Sequence, residues 1–300
     1  MTKKRKTAKS SKPARKSKSP AKKSAKMSAR SAMSVATSAR KSVKERVAAM
    51  AEAPLAVCEN DKNLQAILNV LRNEDEPVAV RLAALQSLQA ASFSVIAFES
   101  CRGDYIAALR KVAQDPNPEL RQRALGILAR NKDGFAQKKL LEGLKKPEKE
   151  LVPPEKALQL LSYDAHSDAY PVAREIVSKP PNAAAKREAL RLLAADATSA
   201  PMFEKILRDK DELSEIRQIS ASALQALKPE KLQEHARAML LDTSEYGEIQ
   251  AASLTALTQF GDAAAVENDA ALMKRVERLS GEASTAVKQS ARQFLGKYGR

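Results

Sequence analysis

The residues best suited to chemistry lie in the stretch YDAHSDAY, residues 163–170. Asp164, His166 and Asp168 alternate there, and two carboxylates with an imidazole in one turn could converge on a metal ion or exchange a proton. Asp and Ser at such positions more often cap the following helix, because their side-chain oxygens accept hydrogen bonds from its free backbone N–H groups. We therefore expect caps here, with no catalytic residue and no metal ligand.

The rest of the sequence lacks the short motifs of common enzyme classes. It contains no GxGxxG, no P-loop, no GxSxG and no HExxH. The second histidine, His235, lies in the helical stretch KLQEHARAMLL and is expected at the surface. The sequence thus predicts a protein that is not an enzyme and that carries no cofactor.

The two cysteines bear on the cellular compartment. Cys58 and Cys101 have no metal-binding spacing. A disulfide between them remains an alternative, but one pair in 300 residues favours two buried thiols in a reducing compartment. No apolar run is long enough for a membrane span, and no apolar segment of a secretory signal follows the charged N-terminus. We expect an intracellular protein of the cytoplasm, nucleoid or nucleus.

One phrase recurs along the chain and predicts its architecture. Residues 74–88 read EDEPVAVRLAALQSL and residues 114–128 read QDPNPELRQRALGIL. In each copy, apolar or small residues stand at an anchor position and four, seven and eight residues later, which is one stripe of an α-helix. The anchors are spaced 31–40 residues apart and are Val80, Leu120, Pro153, Ala185, Ile216, Ile249 and Val287.

A second helical stretch precedes each copy, as in NLQAILNVLR at residues 63–72. Two helices per unit of this length predict an α-solenoid, because each pair buries its apolar stripe only against the next pair. Asn117, Asn182 and Ser284 stand three residues before their anchors, where they would cap the second helices. We expect an all-α array of about seven pairs over residues 45–300, with a first capping helix near residues 38–54.

The turn acid, the Val/Ile/Leu-Arg pair and the following Ala and Leu residues make residues 61–300 resemble the HEAT-repeat family. In that family the turn Asp and the Arg commonly bond from repeat to repeat as a ladder. Pro154 and Gln250 stand where other copies carry a basic residue, so the resemblance implies interruptions there. The structural ladder that it implies consists of Asp75, Arg81, Asp115, Arg121, Asp211 and Arg217.

The resemblance also implies that the second helices line a concave face. Over twelve residues from each anchor they carry 12 basic and 4 acidic residues, whereas residues 45–300 as a whole carry equal numbers. A basic face suits an acidic partner or a nucleic acid, and a solvated face without a ligand is equally consistent with the count. The candidate concave-face residues are Arg123, Lys186, Arg187, Arg191, Lys288 and Arg292.

The excess positive charge lies in the first 44 residues, which hold 16 Lys and Arg and no Asp or Glu. This tail has no aromatic residue and little to bury, so we predict that it is disordered. Its SPAKK piece resembles the motifs of linker-histone tails. Such a polycation suits the phosphates of DNA or RNA, the alternatives being a solubilising segment or a targeting address. The candidate polyanion contacts are Lys3, Lys4, Arg5, Lys6, Arg15, Lys16, Lys22 and Lys23.

Taken together, the sequence predicts a non-enzymatic binding scaffold whose solenoid engages a protein partner while the tail contacts nucleic acid or another polyanion. Two alternatives come from families with related folds. A HEAT-like DNA glycosylase would suit a basic face, but the aromatic residues that usually stack on an extruded base are scarce. A HEAT-type lyase or assembly factor for a pigment protein is the other alternative. The sequence leaves the oligomeric state open.

Overall fold

The computed structural model describes residues 28–164 and 167–299, and the regular elements in this part of the chain are all helices. The all-α prediction is confirmed. None of the described helices is long and apolar enough to cross a bilayer. The helices are α1 (Ala29–Ala36), α2 (Val43–Glu52), α3 (Pro54–Val57), α4 (Asp61–Arg72), α5 (Val78–Ala91), α6 (Val95–Phe98), α7 (Arg102–Val112), α8 (Pro118–Arg130), α9 (Gly134–Lys145), α10 (Pro154–Leu161), α11 (Tyr170–Ser178), α12 (Ala183–Leu193), α13 (Ala200–Arg208), α14 (Ser214–Leu227), α15 (Pro229–Leu241), α16 (Gly247–Phe260), α17 (Ala263–Glu267), α18 (Ala270–Glu282) and α19 (Thr285–Tyr298).

These helices form the solenoid that the repeated phrase predicts. The seven pairs are α4/α5, α7/α8, α9/α10, α11/α12, α13/α14, α15/α16 and α18/α19, and the second helix of each pair packs beside that of the next. The small residue four places after each anchor permits this approach, because a short side chain lets two helices come close. All seven of these residues are at most 3% exposed: Ala84, Ala124, Ala157, Ala189, Ser220, Ser253 and Ala291.

Side-chain caps fix where two of the second helices begin. The Asn117 side-chain oxygen accepts hydrogen bonds from the backbone N–H groups of Glu119 and Leu120, and that of Asn182 accepts from Ala185 at 2.7 Å. These bonds satisfy backbone donors that have no partner inside the helix. Ser284 makes no such bond, although its position also predicts a cap.

The folded array begins earlier than the sequence suggests. Helix α1 lies inside the segment 1–44 expected to be a tail, and its Ala32, Met33 and Ala36 are buried. Helix α2 follows, within the expected capping helix, and its start carries a capping box between Ser42 and Glu45. Residues 28–44 therefore belong to the array. The proposed polyanion contacts lie outside the described residues: Lys3, Lys4, Arg5, Lys6, Arg15, Lys16, Lys22 and Lys23.

The two cysteines form a disulfide between the end of α3 and the turn before α7, with their Cα atoms 6.4 Å apart. The expectation of two separate thiols was wrong, because the fold brings Cys58 and Cys101 together from positions 43 residues apart. The bridge closes a segment of 43 residues. Cross-linking residues this far apart in sequence restricts the unfolded chain and so stabilises the folded one.

We expect reduction of the Cys58–Cys101 bridge to lower the free energy of unfolding of the first repeats by about 2–4 kcal/mol. Thermal unfolding with and without a phosphine reductant measures the effect. The double variant Cys58→Ser/Cys101→Ser is the control, and its unfolding temperature should not respond to reductant. Alkylation of both cysteines in the folded, unreduced protein would contradict the bridge.

Candidate binding site on the second-helix face

Buried arginines near the starts of α2, α5 and α14 hold those helices in place. Arg46, Arg81 and Arg217 lie in α2, α5 and α14 and are only 2–3% exposed. The Nε of each donates to the backbone carbonyl ten residues earlier, in the last turn of the preceding helix, over 2.9–3.1 Å. Each arginine thereby ties the two helices of its own pair together.

The same guanidinium groups reach forward to an acid in the turn of the next repeat. The two terminal nitrogens of Arg46 lie 2.6 and 2.8 Å from the Glu76 carboxylate, and those of Arg217 both lie 2.7 Å from Glu245. Arg81 pairs with Asp115 in the same way. Such two-pronged pairs fix geometry, because the planar guanidinium matches the carboxylate oxygens.

The acids of this ladder differ in part from those the resemblance implies. Asp75 and Asp211 are exposed, and Glu76 and Glu212, one residue further on, make the contacts. The partner of Glu212 is Lys186. The turn conformation decides the choice, because adjacent residues point in different directions.

In two second helices, α8 and α16, the residue at the ladder position bonds to backbone carbonyls and not to a carboxylate. Arg121 donates to the backbone carbonyls of Leu151 and Asp115 instead of to a carboxylate. Gln250 donates to the Glu245 carbonyl at 3.1 Å, within its own repeat. Gln250 is one of the two positions where the resemblance implies an interruption. Arg121 lies one repeat before the other, Pro154, and its missing carboxylate contact was not predicted.

The sequence analysis missed the first arginine of the ladder. Arg46 lies in the stretch ERVAAMAEA, in which Ala49 and Ala53 follow at the spacing of the other copies. Glu45 stands at the anchor position, where the other copies carry an apolar residue or proline, and this substitution hid the match. Helices α1 and α2 thus form one more pair in front of the seven.

The exposed side of the second helices, which we call the second-helix face, carries fewer free charges than its composition suggests. Arg123 pairs with Glu119 at 2.7 Å and Arg187 with Glu215 at 2.9 Å. Arg191 pairs with Glu188, and Lys186 is held by the ladder. Most of the predicted concave-face cations therefore have carboxylate partners. Two candidates on α19, Lys288 and Arg292, have no ion pair with any described side chain.

A groove of about 250 Å³ crosses this face over α5, α8 and α10. Its cations include two that the sequence analysis did not single out, Arg130 and Lys156, and neither has an ion pair within the described chain. The Arg130 guanidinium lies 6.0 Å from the ring centre of half-exposed Tyr163, and Lys156 Nζ donates to Gln159 at 2.8 Å. The groove is lined by Leu85, Gln86, Gln89, Gln122, Arg123, Gly126, Ile127, Arg130, Lys156, Leu160 and Tyr163.

Gly126 keeps the floor of the groove open. A Cβ atom built there would lie 3.9 Å from Leu160 Cδ2 and 4.0 Å from Arg130 Nη1, so packing does not demand a glycine. Glycine inside a helix costs about 1 kcal/mol relative to alanine. Gly281 and Gly296 also lie inside helices, with nothing within 4 Å of a built Cβ atom, so such a glycine is not particular to this groove.

Of the alternating residues Asp164, His166 and Asp168, the structure describes side-chain contacts for Asp164. Asp164 accepts a hydrogen bond from Gln137 at 2.9 Å and lies 3.8 Å from Lys132 Nζ. Asp168 is exposed, and His166 lies outside the described residues. These two contacts of Asp164 connect α9 and the turn before it to the turn after α10.

A second depression, of about 950 Å³, lies where α4 and α7 meet the N-terminal helices. Its charged lining mixes Glu74 and Glu76 with Arg72 and Lys111. Because the charges have both signs, this surface has no preference for an anionic ligand, and the smaller groove is the better candidate site.

The architecture defines this chain as an α-solenoid of helix pairs. No family model and no curated protein matches the sequence. Among solved structures it is similar to the CpcE–CpcF complex of phycocyanin lyase from Nostoc sp. PCC7120, with 15% identity and a TM-score of 0.41 over 95% of this chain and 99% of that one. It is also similar to human deoxyhypusine hydroxylase in complex with glycerol, with 16% identity and a TM-score of 0.34 over 82% of this chain and 99% of that one. These values add no statement about activity.

Proposed function

We propose that this protein is a binding scaffold. Its groove across α5, α8 and α10 takes an acidic segment of a protein partner, and its Lys-rich residues 1–27 contact nucleic acid or another polyanion. The observation that carries the proposal is the pair of cations, Arg130 and Lys156, that face the groove without a carboxylate partner. The third cation of the lining, Arg123, is paired with Glu119, and elsewhere on the same face Glu215 pairs with Arg187.

The rest of the lining suits a peptide. Gln86, Gln89 and Gln122 each offer an amide donor and an acceptor, which match the N–H and C=O groups of an extended backbone. Arg130 can take a carboxylate through two parallel hydrogen bonds, and Lys156 adds a second positive charge. Leu85, Ile127 and Leu160 supply apolar surface between these polar groups.

The same lining supports binding in preference to catalysis. Among the described residues, the lining includes no carboxylate and no imidazole, the usual general bases. Tyr163 is the one aromatic residue among them. A pocket for an extruded base would need stacking on both of its faces, which makes the DNA glycosylase alternative a poor fit to this groove.

A charge-reversal experiment tests the groove. A fluorescent peptide of about ten glutamates should bind residues 28–300 at low salt, where an anionic ligand is screened least. Arg130→Glu/Lys156→Glu should weaken this binding more than about tenfold, since buried or partly desolvated charge pairs at interfaces are typically worth 1.5 kcal/mol or more. Anisotropy titrations measure the affinity.

Matched variants separate the groove from general electrostatics. Lys205→Glu/Lys274→Glu makes the same change in net charge at exposed positions on first helices and should leave the affinity within about twofold. Gly126→Met should fill the groove and weaken binding without altering the charge, whereas Gly126→Ala should retain it. Equal losses in both charge-reversal variants would refute a site in the groove.

A further inference from the structure

Two carboxylates and an imidazole meet on the first helices of two neighbouring repeats. Neither of these helices lines the groove. Glu204 lies on α13, and Glu234 and His235 lie on α15. His235 Nε2 is 2.7 Å from Glu204 Oε1, and one ligand atom from each of the three residues lies within 4.8 Å of the others. We propose that these three side chains bind one divalent transition-metal ion of the Zn²⁺ class.

The donor set decides the class of metal. An imidazole nitrogen with carboxylate oxygens suits Zn²⁺ and its neighbours, whereas Mg²⁺ and Ca²⁺ prefer oxygen ligands alone. Bond lengths of about 2.0–2.1 Å in a tetrahedral site place ligand atoms roughly 3.3–3.4 Å apart. The His235–Glu204 contact must therefore lengthen slightly and Glu234 must move inward, which rotations of the flexible glutamate side chains provide. Three protein ligands leave one position for water, on the side where Glu234 is exposed.

The neighbouring charges allow a cation to enter. Lys231 Nζ lies 2.9 Å from Glu234, but both side chains of this pair are about half exposed, so the contact is weak and a metal ion can displace it.

A bound ion would connect two units of the array. α13 belongs to one repeat and α15 to the next, so the metal adds a cross-link on the first-helix side, while the Arg217–Glu245 pair links the same repeats near the second helix. Because the ion binds only the folded arrangement, it raises the free energy of unfolding of these two repeats by mass action. The site therefore stiffens the array locally.

Calorimetric titration of the full chain with Zn²⁺ at neutral pH tests the site. Wild type should bind one ion through this cluster, and His235→Gln, Glu204→Gln and Glu234→Gln should each weaken that binding more than about tenfold, since even loss of a group that only orients a metal ligand costs 10- to 100-fold. Zn²⁺ should also raise the unfolding temperature of wild type more than that of His235→Gln. All variants retain Cys58 and Cys101, so any contribution of the cysteines is the same throughout.

Two variants serve as controls. Glu230→Gln removes an exposed acid from the same helix, and His166→Gln removes the other histidine of the chain; both should bind Zn²⁺ as wild type does. Circular dichroism spectra that match wild type show that the ligand variants are folded. Wild-type affinity in His235→Gln, or no binding by wild type at millimolar Zn²⁺, would overturn the proposal.

Discussion

Replacing Arg217 with alanine is expected to destabilise the repeats around α14 by about 3–5 kcal/mol, because it leaves the buried Glu245 carboxylate without its partner. The two side chains are 3% and 2% exposed, and two hydrogen bonds of 2.7 Å join them. The substitution also removes the Nε donor to the Leu207 carbonyl. Urea unfolding followed by circular dichroism measures the loss, and hydrogen exchange should place it in α13–α16.

An exposed pair provides the control. Arg237 bonds to Asp269 between two repeats, but its side chain is 55% exposed. Arg237→Ala should therefore cost no more than about 1 kcal/mol, the usual range for a pair in contact with water.

A second variant separates the cost of an unpaired buried charge from the cost of lost side-chain packing. Arg217→Met/Glu245→Gln removes both charges together and should recover part of the stability that Arg217→Ala loses, because no buried charge is left alone. A loss in Arg217→Ala no larger than that in Arg237→Ala would show that the buried ladder does not hold the repeats together. Because each repeat contacts only its neighbours, the first and last repeats should keep their protection.

Deleting residues 1–27 is expected to remove most of the salt-dependent affinity for duplex DNA. This segment holds 12 of the 16 excess basic residues, and the remaining four belong to residues 28–44, which are part of the array. If about 8 of the 12 meet phosphates, the logarithm of affinity should fall with that of salt concentration at a slope near −7. Anisotropy titrations of a labelled duplex at several salt concentrations give the slopes of the full and shortened chains.

A shuffled tail tests whether this affinity carries sequence information. Phosphate contacts position a protein but do not read base edges, so a chain with residues 1–27 in scrambled order should keep the slope and show no change in sequence preference. A shortened chain that retained both affinity and slope would show that the polyanion site lies on the solenoid. Lys288 and Arg292 would then be the first residues to replace, and the alternative of an enzyme acting on DNA would gain support.

The sequence by itself determined the units of this fold. Spacings of 31–40 residues between the copies predicted the helix pairs. The apolar stripe predicted the buried side of each second helix, because that signal depends on residues within one or two helical turns. The small residues four places after the anchors showed where helices would pack closely, and Asn117 and Asn182 marked helix starts. Arg81 and Arg217 were recognisable for the same reason, since their positions are fixed relative to their own helix, whereas Glu45 at the anchor position hid Arg46.

Tertiary structure alone decided which residues meet across repeats. The partners of the ladder stand 26–34 residues apart, and the turn conformation selects Glu76 over Asp75. The same long-range geometry pairs Arg187 with Glu215, leaves Arg130 and Lys156 facing a groove, and brings Glu204 to His235. A local pattern specifies the direction of a side chain from its own helix. It does not specify the rotation and offset of the next helix pair, and these set the distance between charges on different repeats.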